Sequence, residues 1–224
     1  MLNIISKSII VGMILLPWTR VLSQEMQPLN IDLPQPMFIG TPQDFDVPNL
    51  EKPLGKPRPA FMAPAGTSNI ALDKYIESSD ENPIIGEIDL ITDGDKEALD
   101  GSFVELASGR QYVMIDLEEK HTLYAIFLWH YHLEARVYND VIIQVSDDPD
   151  FISEVITLFN NDHDNSSGLG VGDDLYYVET HEGKLIDARG VEARYVRLYS
   201  NGNSYDQVNH YIEVAIYGKP ISEK

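Results

Sequence analysis

Cysteine is absent from the 224-residue chain. Thiol nucleophiles, thiolate metal sites and disulfide bonds are therefore excluded, so burial of a hydrophobic core has to stabilise the fold, with or without a bound ion. Hydrophobic residues make up 43% of the sequence, which is enough for such a core. Long apolar runs are also lacking, because no segment after the N-terminus is apolar enough to cross a membrane.

Basic residues are scarce, with 16 Lys and Arg against 36 Asp and Glu and a net charge of −20. This balance argues against nucleic acid and anionic membrane surfaces as partners, because both bind clustered positive charge. It suits a solvated surface, divalent cations or neutral polar ligands such as sugars. The five acids and five bases of the first 65 residues cancel, so the net charge lies on the remainder of the chain.

The N-terminus has the pattern of an export signal. Lys7 precedes an apolar run that is too short to span a membrane, and Pro17 ends it. Val21 and Ser23 suit the −3 and −1 positions of a signal-peptidase site, so residues 1–23 are predicted to be a signal peptide. The mature protein is then secreted, periplasmic or at the cell surface, without a membrane span. An uncleaved N-terminal anchor is the alternative.

Nine of the thirteen prolines lie between residues 24 and 65. Proline fixes φ and lacks a backbone donor, so this segment is predicted to form neither a long helix nor an inner strand but an extended leader. Its scattered apolar residues, such as Phe38 and Phe61, suggest that parts of it lie against the domain. We therefore predict a leader at 24–65, one folded domain at 66–220 and a tail at 221–224.

From residue 66 onward, short runs rich in Val, Ile, Tyr, Phe and Trp alternate with polar loops. No segment shows an apolar period of 3.6 residues over three turns, which is the pattern of an amphipathic helix. Strands separated by polar loops predict an all-β fold, an antiparallel β-sandwich of the jelly-roll type. The strongest predicted strands are Gln111–Leu117, Leu123–Tyr131, Asp140–Ser146, Val155–Phe159, Arg194–Ser200 and His210–Tyr217.

His130 and His132 are the strongest candidates for catalytic metal ligands. Two residues apart on a strand, their imidazoles point the same way, and Glu134 follows them, as in the metal motif of cupins. The candidates for a third ligand are Asp162, His163 and His181. The glycines that flank the cupin pattern are missing, so histidines that bond to loops are favoured over a metal-dependent enzyme.

The polar segment NNDHDNSSGLG, residues 160–170, also has the composition of a binding site. Asp162 and Asp164 match the first two acidic positions of an EF-hand calcium loop, but Ser167 stands where that loop requires glycine, and its final glutamate is missing. An EF-hand is therefore excluded, whereas a looser oxygen site and a self-hydrogen-bonded loop both stay open. Carboxylate pairs are too common in this chain to predict a glycosidase.

Several segments together carry a resemblance to a known family. They are ITDGD at 91–95, QYVMIDL at 111–117, VIIQVSDDPDF at 141–151, ARYVRLYSNG at 193–202 and YIEVAIYG at 211–218. With them, the chain from Thr67 to Gly218 resembles the discoidin domain family, also called coagulation factor V/VIII type C, within the galactose-binding-like jelly rolls, in a secreted bacterial subgroup. The resemblance implies a non-catalytic eight-stranded sandwich that binds sugars, cell surfaces or proteins through loops at one end.

Many members of this family carry a structural calcium ion, and the resemblance implies its ligands here. They map to Asp93 and Asp95 of ITDGD and to Glu213 of the last strand, with backbone carbonyls completing the site. Glu213 lies in a strand that is otherwise apolar, where a carboxylate is costly without a partner, and calcium coordination would offset that cost. The alternative is a DGD turn beside a solvated Glu213.

The resemblance also brings several polar segments to one end of the sandwich. The residues expected to bind a ligand there are His130, His132, Arg136, Asn139, Asp162, Asp164, Asn203 and His210. Such side chains match the donors and acceptors of sugar hydroxyls, although Arg136 suits a salt-bridge anchor equally well. Trp129 lies in an apolar strand, so an aromatic ring for stacking on a sugar would have to come from Tyr138 or Tyr205.

These observations predict a secreted, non-catalytic module that recognises carbohydrate or glycan-bearing surfaces and is stabilised by calcium. The acidic charge excludes nucleic acid from its expected partners. A metal-dependent jelly-roll enzyme that uses His130 and His132 is one alternative, and a protein-interaction module is the other.

Overall fold

The computed structural model describes residues 24–36 and 45–221. The predicted signal peptide, residues 37–44 of the leader and residues 222–224 of the tail lie outside the described residues. Within the described ranges the regular structure is β-sheet, apart from one 3-10 helix at Ile88–Thr92. No helix in these ranges is long and apolar enough to span a membrane.

Thirteen strands follow one another along the described chain. They are β1 (Met26–Pro28), β2 (Met62–Pro64), β3 (Ser68–Asn69), β4 (Ile76–Ser78), β5 (Val104–Leu106), β6 (Gln111–Trp129), β7 (Val137–Tyr138), β8 (Ile142–Ser146), β9 (Ile156–Asn160), β10 (Tyr177–Val178), β11 (Lys184–Ser200), β12 (Asn209–Tyr211) and β13 (Glu213–Pro220). Every pairing between these strands is antiparallel. The predicted all-β antiparallel fold is therefore confirmed.

Two long strands, β6 and β11, form the centre of the largest sheet and pair with each other along most of their length. Each contains a residue with positive φ near its middle, Glu118 at 68° and Arg189 at 54°, and the pairing register shifts beside Arg189. Such irregularities bend a strand. The two strands predicted at Gln111–Leu117 and Leu123–Tyr131 are therefore one bent strand, which corrects the prediction.

The bends divide the paired strands between two layers. In one layer the first half of β6 and the second half of β11 lie beside β4, β8 and β9, and in the other their remaining halves lie beside β3 and β13. Because side chains alternate along a strand, every second residue faces the space between the layers. Val113, Ile115, Ile126 and Leu128 of β6 do so and are fully buried in the main core.

The two ends of β6 meet at the same end of the sandwich. The ring of Tyr211 lies 5.2 Å from that of His130, which follows β6, and the Tyr211 hydroxyl donates to Ser200 Oγ at 3.0 Å. Ser200 in turn pairs with Gln111, the first residue of β6. We call this end the loop end, and its loops are 130–136, 139–141, 161–175 and 201–208. The bend end lies opposite and holds the bends at 118–120 and 189–190 and the turn 147–155.

The second layer also has an apolar outer face. Phe127 and Trp129 of β6 point away from the main core and form a second cluster with Ala215 of β13. Leader residues Leu29 and Ala63 cover this cluster, with exposed fractions of 8% and 0%. A strand that is apolar on both faces needs cover on both. The described leader residues supply that cover on the outer side.

Polar contacts hold the same leader segment in place. The guanidinium of Arg58 donates to the carbonyl oxygens of Glu182 and Gly183, the latter at 2.7 Å. The backbone N–H of Arg58 also donates to the Glu182 carboxylate at 3.0 Å. Glu51 forms an ion pair with Lys184, the first residue of β11. These contacts attach the described part of the leader to the domain.

Replacing Ala63 with aspartate is expected to destabilise the domain by about 3 kcal/mol, because the change places an unpaired carboxylate inside the second cluster. Leu54→Asp is the control, since Leu54 belongs to the same leader but is 56% exposed. Urea unfolding followed by tryptophan fluorescence measures the free energy of unfolding of both variants. Equal stability of A63D and the unchanged protein would show that the leader does not pack on the sheet.

Candidate functional site

The structure places all eight predicted ligand-binding residues at or beside the loop end, but it buries most of their side chains. Five are 6% exposed or less: His130, His132, Arg136, Asp162 and His210. The other three reach solvent to a greater extent: Asn139, Asp164 and Asn203. The five buried side chains therefore make their contacts chiefly within the protein.

His130 and His132 make separate contacts inside the protein. The His130 ring stacks on Tyr138 with 4.3 Å between centroids, and its Nδ1 lies 3.0 Å from the Tyr177 hydroxyl. His132 donates from Nε2 to the carbonyl of Lys96 at 2.9 Å. Among the described residues, no group of three metal-ligating side chains includes either histidine. The geometry thus gives the metal-dependent enzyme hypothesis no third ligand in this part of the chain.

Asp162 organises the polar loop that follows β9. Its carboxylate accepts hydrogen bonds from the backbone N–H groups of Ser166 at 3.0 Å and Ser167 at 2.9 Å. Asp140, Asp162 and Asp164 bring one carboxylate oxygen each within 4.8 Å of one another. Burial raises the pKa of the Asp140 carboxyl, and the neighbouring carboxylates add to this rise while a hydrogen bond from Ser166 opposes it. The hydrogen bonds are those of a self-hydrogen-bonded loop, and the three carboxylates also form a group that could hold a metal ion, so both alternatives for this segment stay open.

Glu213, at the start of β13, is fully buried beside the turn that holds Asp93 and Asp95. Its Oε2 accepts a hydrogen bond from the backbone N–H of Gly94 at 3.0 Å, whereas its Oε1 has no partner. Burial raises the pKa of this carboxyl from 4.5 to about 8, with Gly94 and Lys96 opposing the rise and the two aspartates adding to it. An unpaired buried carboxylate oxygen is costly, and a cation or a proton removes that cost.

The turn beside Glu213 carries further oriented carboxylates. The backbone N–H of Asp95 donates to Asp93 Oδ1, and Ser102 Oγ donates to Asp95 Oδ2, both at 2.8 Å. Burial raises the pKa of the Asp93 carboxyl as well. Carboxylate oxygens are the ligands that calcium prefers. The unpartnered Oε1 of Glu213 and the two aspartates are the donor types that calcium takes. Among the described residues, however, these three side chains do not bring their carboxylate oxygens within 4.8 Å of one another, as Asp140, Asp162 and Asp164 do.

Tyr205 is the exposed aromatic residue of the loop end, with 71% of its surface accessible. The guanidinium carbon of Arg136 lies 4.7 Å from the centroid of this ring and 4.4 Å from that of Tyr131. We call Tyr131, Arg136 and Tyr205 the aromatic platform. Tyr138, the other tyrosine that the sequence offered, is 1% exposed and stacks on His130 instead. Tyr205 is therefore the one of the two that can meet a ligand.

A tight turn holds Tyr205 at the tip of its loop. Asn203 Oδ1 accepts hydrogen bonds from the backbone N–H groups of Tyr205 at 2.8 Å and Asp206 at 3.2 Å. Ser204 ties the turn to β7, since its N–H donates to the Val137 carbonyl at 2.9 Å. A ring fixed before binding loses little conformational entropy when a ligand stacks on it. The turn therefore fixes the backbone that presents the Tyr205 ring at the loop tip.

Arg136 supports the platform as a salt-bridge anchor. Its two terminal nitrogens donate to Glu134 Oε2 and Asp206 Oδ2, both at 3.2 Å. Burial raises the pKa of the Tyr131 phenol, with Glu134 and the nearby Asp100 adding to the rise and Arg136 opposing it. Arg136 thus connects loops 130–136 and 201–208 through one buried cation.

His210 lies under the platform and adds another carboxylate to its surroundings. Its Nε2 is 2.9 Å from Glu105 Oε2, and its ring is 5.5 Å from that of Tyr131. Burial lowers the pKa of this imidazole, whereas Asp206 and Glu105 act in the opposite direction. His210 is a structural support for the platform and is not a free donor at its surface.

No family model matches the chain, and no curated protein matches it. Among solved structures, a CBM32 module from Clostridium perfringens, in complex with GlcNAc-α-1,4-galactose, gives a TM-score of 0.50 at 19% identity, covering 69% of this chain and 96% of that chain. A mutant of chitosan-binding module 1 from Paenibacillus sp. IK-5 gives 0.49 at 21% identity, covering 68% and 99%. A fucose-binding module from Streptococcus pneumoniae gives 0.47 at 18%, covering 70% and 99%. The likeness to the first confirms the predicted jelly-roll fold.

In chelator-treated protein, stability is expected to fall as the pH rises from about 5 to about 8. The folded-state pKa of Glu213 lies above its ordinary value of 4.5, so ionisation during this rise disfavours the folded state. Glu213→Gln keeps an oxygen acceptor for Gly94 but does not ionise. The melting temperature of E213Q relative to the unchanged protein should therefore increase with pH. A difference that is constant from pH 5 to pH 8 would contradict the raised pKa.

Proposed function

We propose that this protein is a secreted, non-catalytic module of the discoidin, galactose-binding-like class that binds carbohydrate at its loop end. The observation that carries the proposal is the aromatic platform, in which Tyr205 is 71% exposed and its ring lies over the guanidinium of Arg136. One face of the ring is covered by the guanidinium, and the other is available to a sugar. Aromatic rings that present a flat apolar face beside polar groups are typical of small-ligand sites.

The surroundings of Tyr205 supply the polar contacts that a sugar needs. Glu134 and Asp206 offer carboxylate oxygens with 54% and 29% of their side chains exposed. The half-buried Asn139 lies in another loop of the same end, whereas the Asn203 amide is bonded within its own turn to Tyr205 and Asp206. Sugar hydroxyls donate to carboxylates and exchange hydrogen bonds with amides, while the C–H face of the ring packs on the aromatic surface. The exposed groups at the platform therefore match the chemistry of a carbohydrate.

The fold supports the same proposal. The Clostridium perfringens module with this fold binds GlcNAc-α-1,4-galactose. Because folds host many functions, the fold raises the expectation of carbohydrate binding here but does not choose the ligand. The acidic surface and the N-terminal export pattern agree with a protein that works outside the cytoplasm.

We also propose that a calcium ion stabilises the domain, with Asp93, Asp95 and Glu213 as its side-chain ligands. The support for this site is the fully buried Glu213 carboxylate, whose Oε1 has no partner in the protein. When bound, the ion supplies positive charge that keeps the three carboxylates ionised at neutral pH. The ion would be structural, since the site lies at the junction of β13 with the turn at Gly94.

Calcium at about 100 times its Kd is expected to raise the melting temperature by roughly 5 °C or more, because it binds only the folded state. Asp93→Asn and E213Q should each abolish most of this increase, while the parent protein loses it on addition of chelator. Differential scanning calorimetry with and without calcium measures the effect. A melting temperature that does not change with calcium or chelator would refute the site.

Tyr205→Ala is expected to weaken glycan binding at least about tenfold, since the change removes the stacking surface. A glycan array covering plant, algal and animal polysaccharides identifies the ligand, and isothermal titration calorimetry then measures its Kd for each variant. If the unchanged protein bound no glycan on the array, the result would contradict the proposed function.

Tyr75→Ala provides the matched control for this experiment. Tyr75 is 72% exposed, almost the same as Tyr205, but its carbonyl accepts the N–H of Asp116 near the bend end. Loss of binding in Y205A alone would locate the site at the platform. Equal losses in both variants, or a loss in Y75A alone, would place the ligand elsewhere.

A further inference from the structure

We propose that the aromatic platform selects uncharged and amine-bearing sugars and excludes glycans that carry carboxylate or sulfate groups. This inference rests on the proposed function and names the ligand class of the same site. It depends on three features of the described residues: the cation of the platform is already paired, exposed carboxylates lie near Arg136 and Tyr131, and the rest of the loop end is acidic.

The cation of the platform is not free to bind an anion. Arg136 is 6% exposed, and its guanidinium lies between the rings of Tyr131 and Tyr205. Its two terminal nitrogens already donate to Glu134 and Asp206, and its Nε is buried. Recognition of a uronate or a sulfate depends on paired N–H donors that face the ligand. At this site each terminal nitrogen is bonded to one of the protein's own carboxylates, and Nε, which has no partner, is buried and does not face a ligand.

Carboxylates lie near Arg136 and Tyr131 of the platform. Glu134 and Asp206 flank Arg136, with side chains 54% and 29% exposed. Burial raises the pKa of the Tyr131 phenol, and the exposed carboxylate of Asp100 contributes to this rise. Glu105 lies beneath Tyr131 and is bonded to His210. Two carboxylates therefore contact the guanidinium of Arg136, and two more lie near Tyr131 and His210, which leaves an excess of negative charge at the platform. A protonated sugar amine would find acceptors here, whereas a sugar carboxylate would meet like charges.

The remainder of the loop end also carries negative charge. Asp164 and Asp173 are exposed in the loop after β9, and the nearby Arg110 donates to the Ser167 carbonyl. The net charge of −20 lies on the chain after residue 65. Fields of this kind favour the approach of cations and oppose that of anions, over about 10 Å at ordinary salt. The long-range charge thus acts in the same direction as the contacts.

The test compares oligosaccharides of one length that differ in charge: neutral hexose and N-acetylhexosamine polymers, de-acetylated amino-sugar polymers, uronates and sulfated glycans. They are presented to the full chain on one array, at a pH where the amines are protonated. Bound glycans are expected to be neutral or amine-bearing, with the amine form about three- to tenfold tighter than its acetylated counterpart. This preference should shrink when salt is raised from about 0.02 M to about 0.5 M.

Charge variants connect the selectivity to the platform. The double variant Asp100→Asn with Glu134→Gln removes two exposed carboxylates near Tyr131 and Arg136 and should reduce the ratio of amine to neutral binding by about half or more, while Asp206 and Glu105 remain. Asp150→Asn with Glu154→Gln makes the same charge change at the bend end and is the control. All four residues are exposed, and Glu134→Gln keeps an oxygen that accepts from Arg136, so neither pair should change the melting temperature by more than a few degrees.

The outcomes separate the two proposals. Tight binding of uronates or sulfated glycans, or an unchanged ratio in the D100N/E134Q variant, overturns the charge selectivity and leaves carbohydrate binding intact. An equal fall of the ratio in the D150N/E154Q control also overturns it, since the effect would then belong to the net charge. No binding of any glycan overturns the proposed function on which the selectivity depends.

Discussion

The pairing of β6 with β11 through both layers is the constraint on which the rest of the structure depends. Because both strands bend at residues with positive φ, each contributes to both sheets, and the start and end of each strand return to one end of the sandwich. The loops that leave the sheet at this end are therefore forced together. Distant segments such as 130–136 and 201–208 become neighbours only through this geometry, and Arg136 connects them through Asp206.

The same pairing explains why the leader belongs to the domain. The second half of β6 is apolar on both faces, so its outer side needs a cover that the sandwich does not provide. Leu29 and Ala63 supply it, and Arg58 holds the segment to the loop that precedes β11. Trp129 is buried under this cover and donates from Nε1 to the His181 carbonyl at 3.0 Å. The largest aromatic side chain of the sheet is thus unavailable to a ligand.

Polar side chains at the loop end divide into those that hold the loops and those that face solvent. His130, Asp162 and Arg136 are buried and form hydrogen bonds within the protein. These bonds fix the loops, and the same side chains are therefore not available to bind a ligand. A buried polar network of this kind gives rigidity when most of its members are paired. This network supports the loop that carries Tyr205, so the exposed ring is presented to solvent on a fixed backbone.

The sequence by itself determined the β class, the antiparallel character and the positions of β6, β8, β9, β13 and the second half of β11, because alternation of apolar side chains is a local property of a strand. The shorter strands and the first half of β11 were not predicted. The sequence also determined the net charge. Through a family resemblance it predicted Asp93, Asp95 and Glu213 as calcium ligands. Only the tertiary structure decided that residues 118–120 continue one strand, since a bend with positive φ has the same polar composition as a loop. It also decided that Tyr205 and not Tyr138 is exposed, because exposure depends on packing against residues that are distant along the chain.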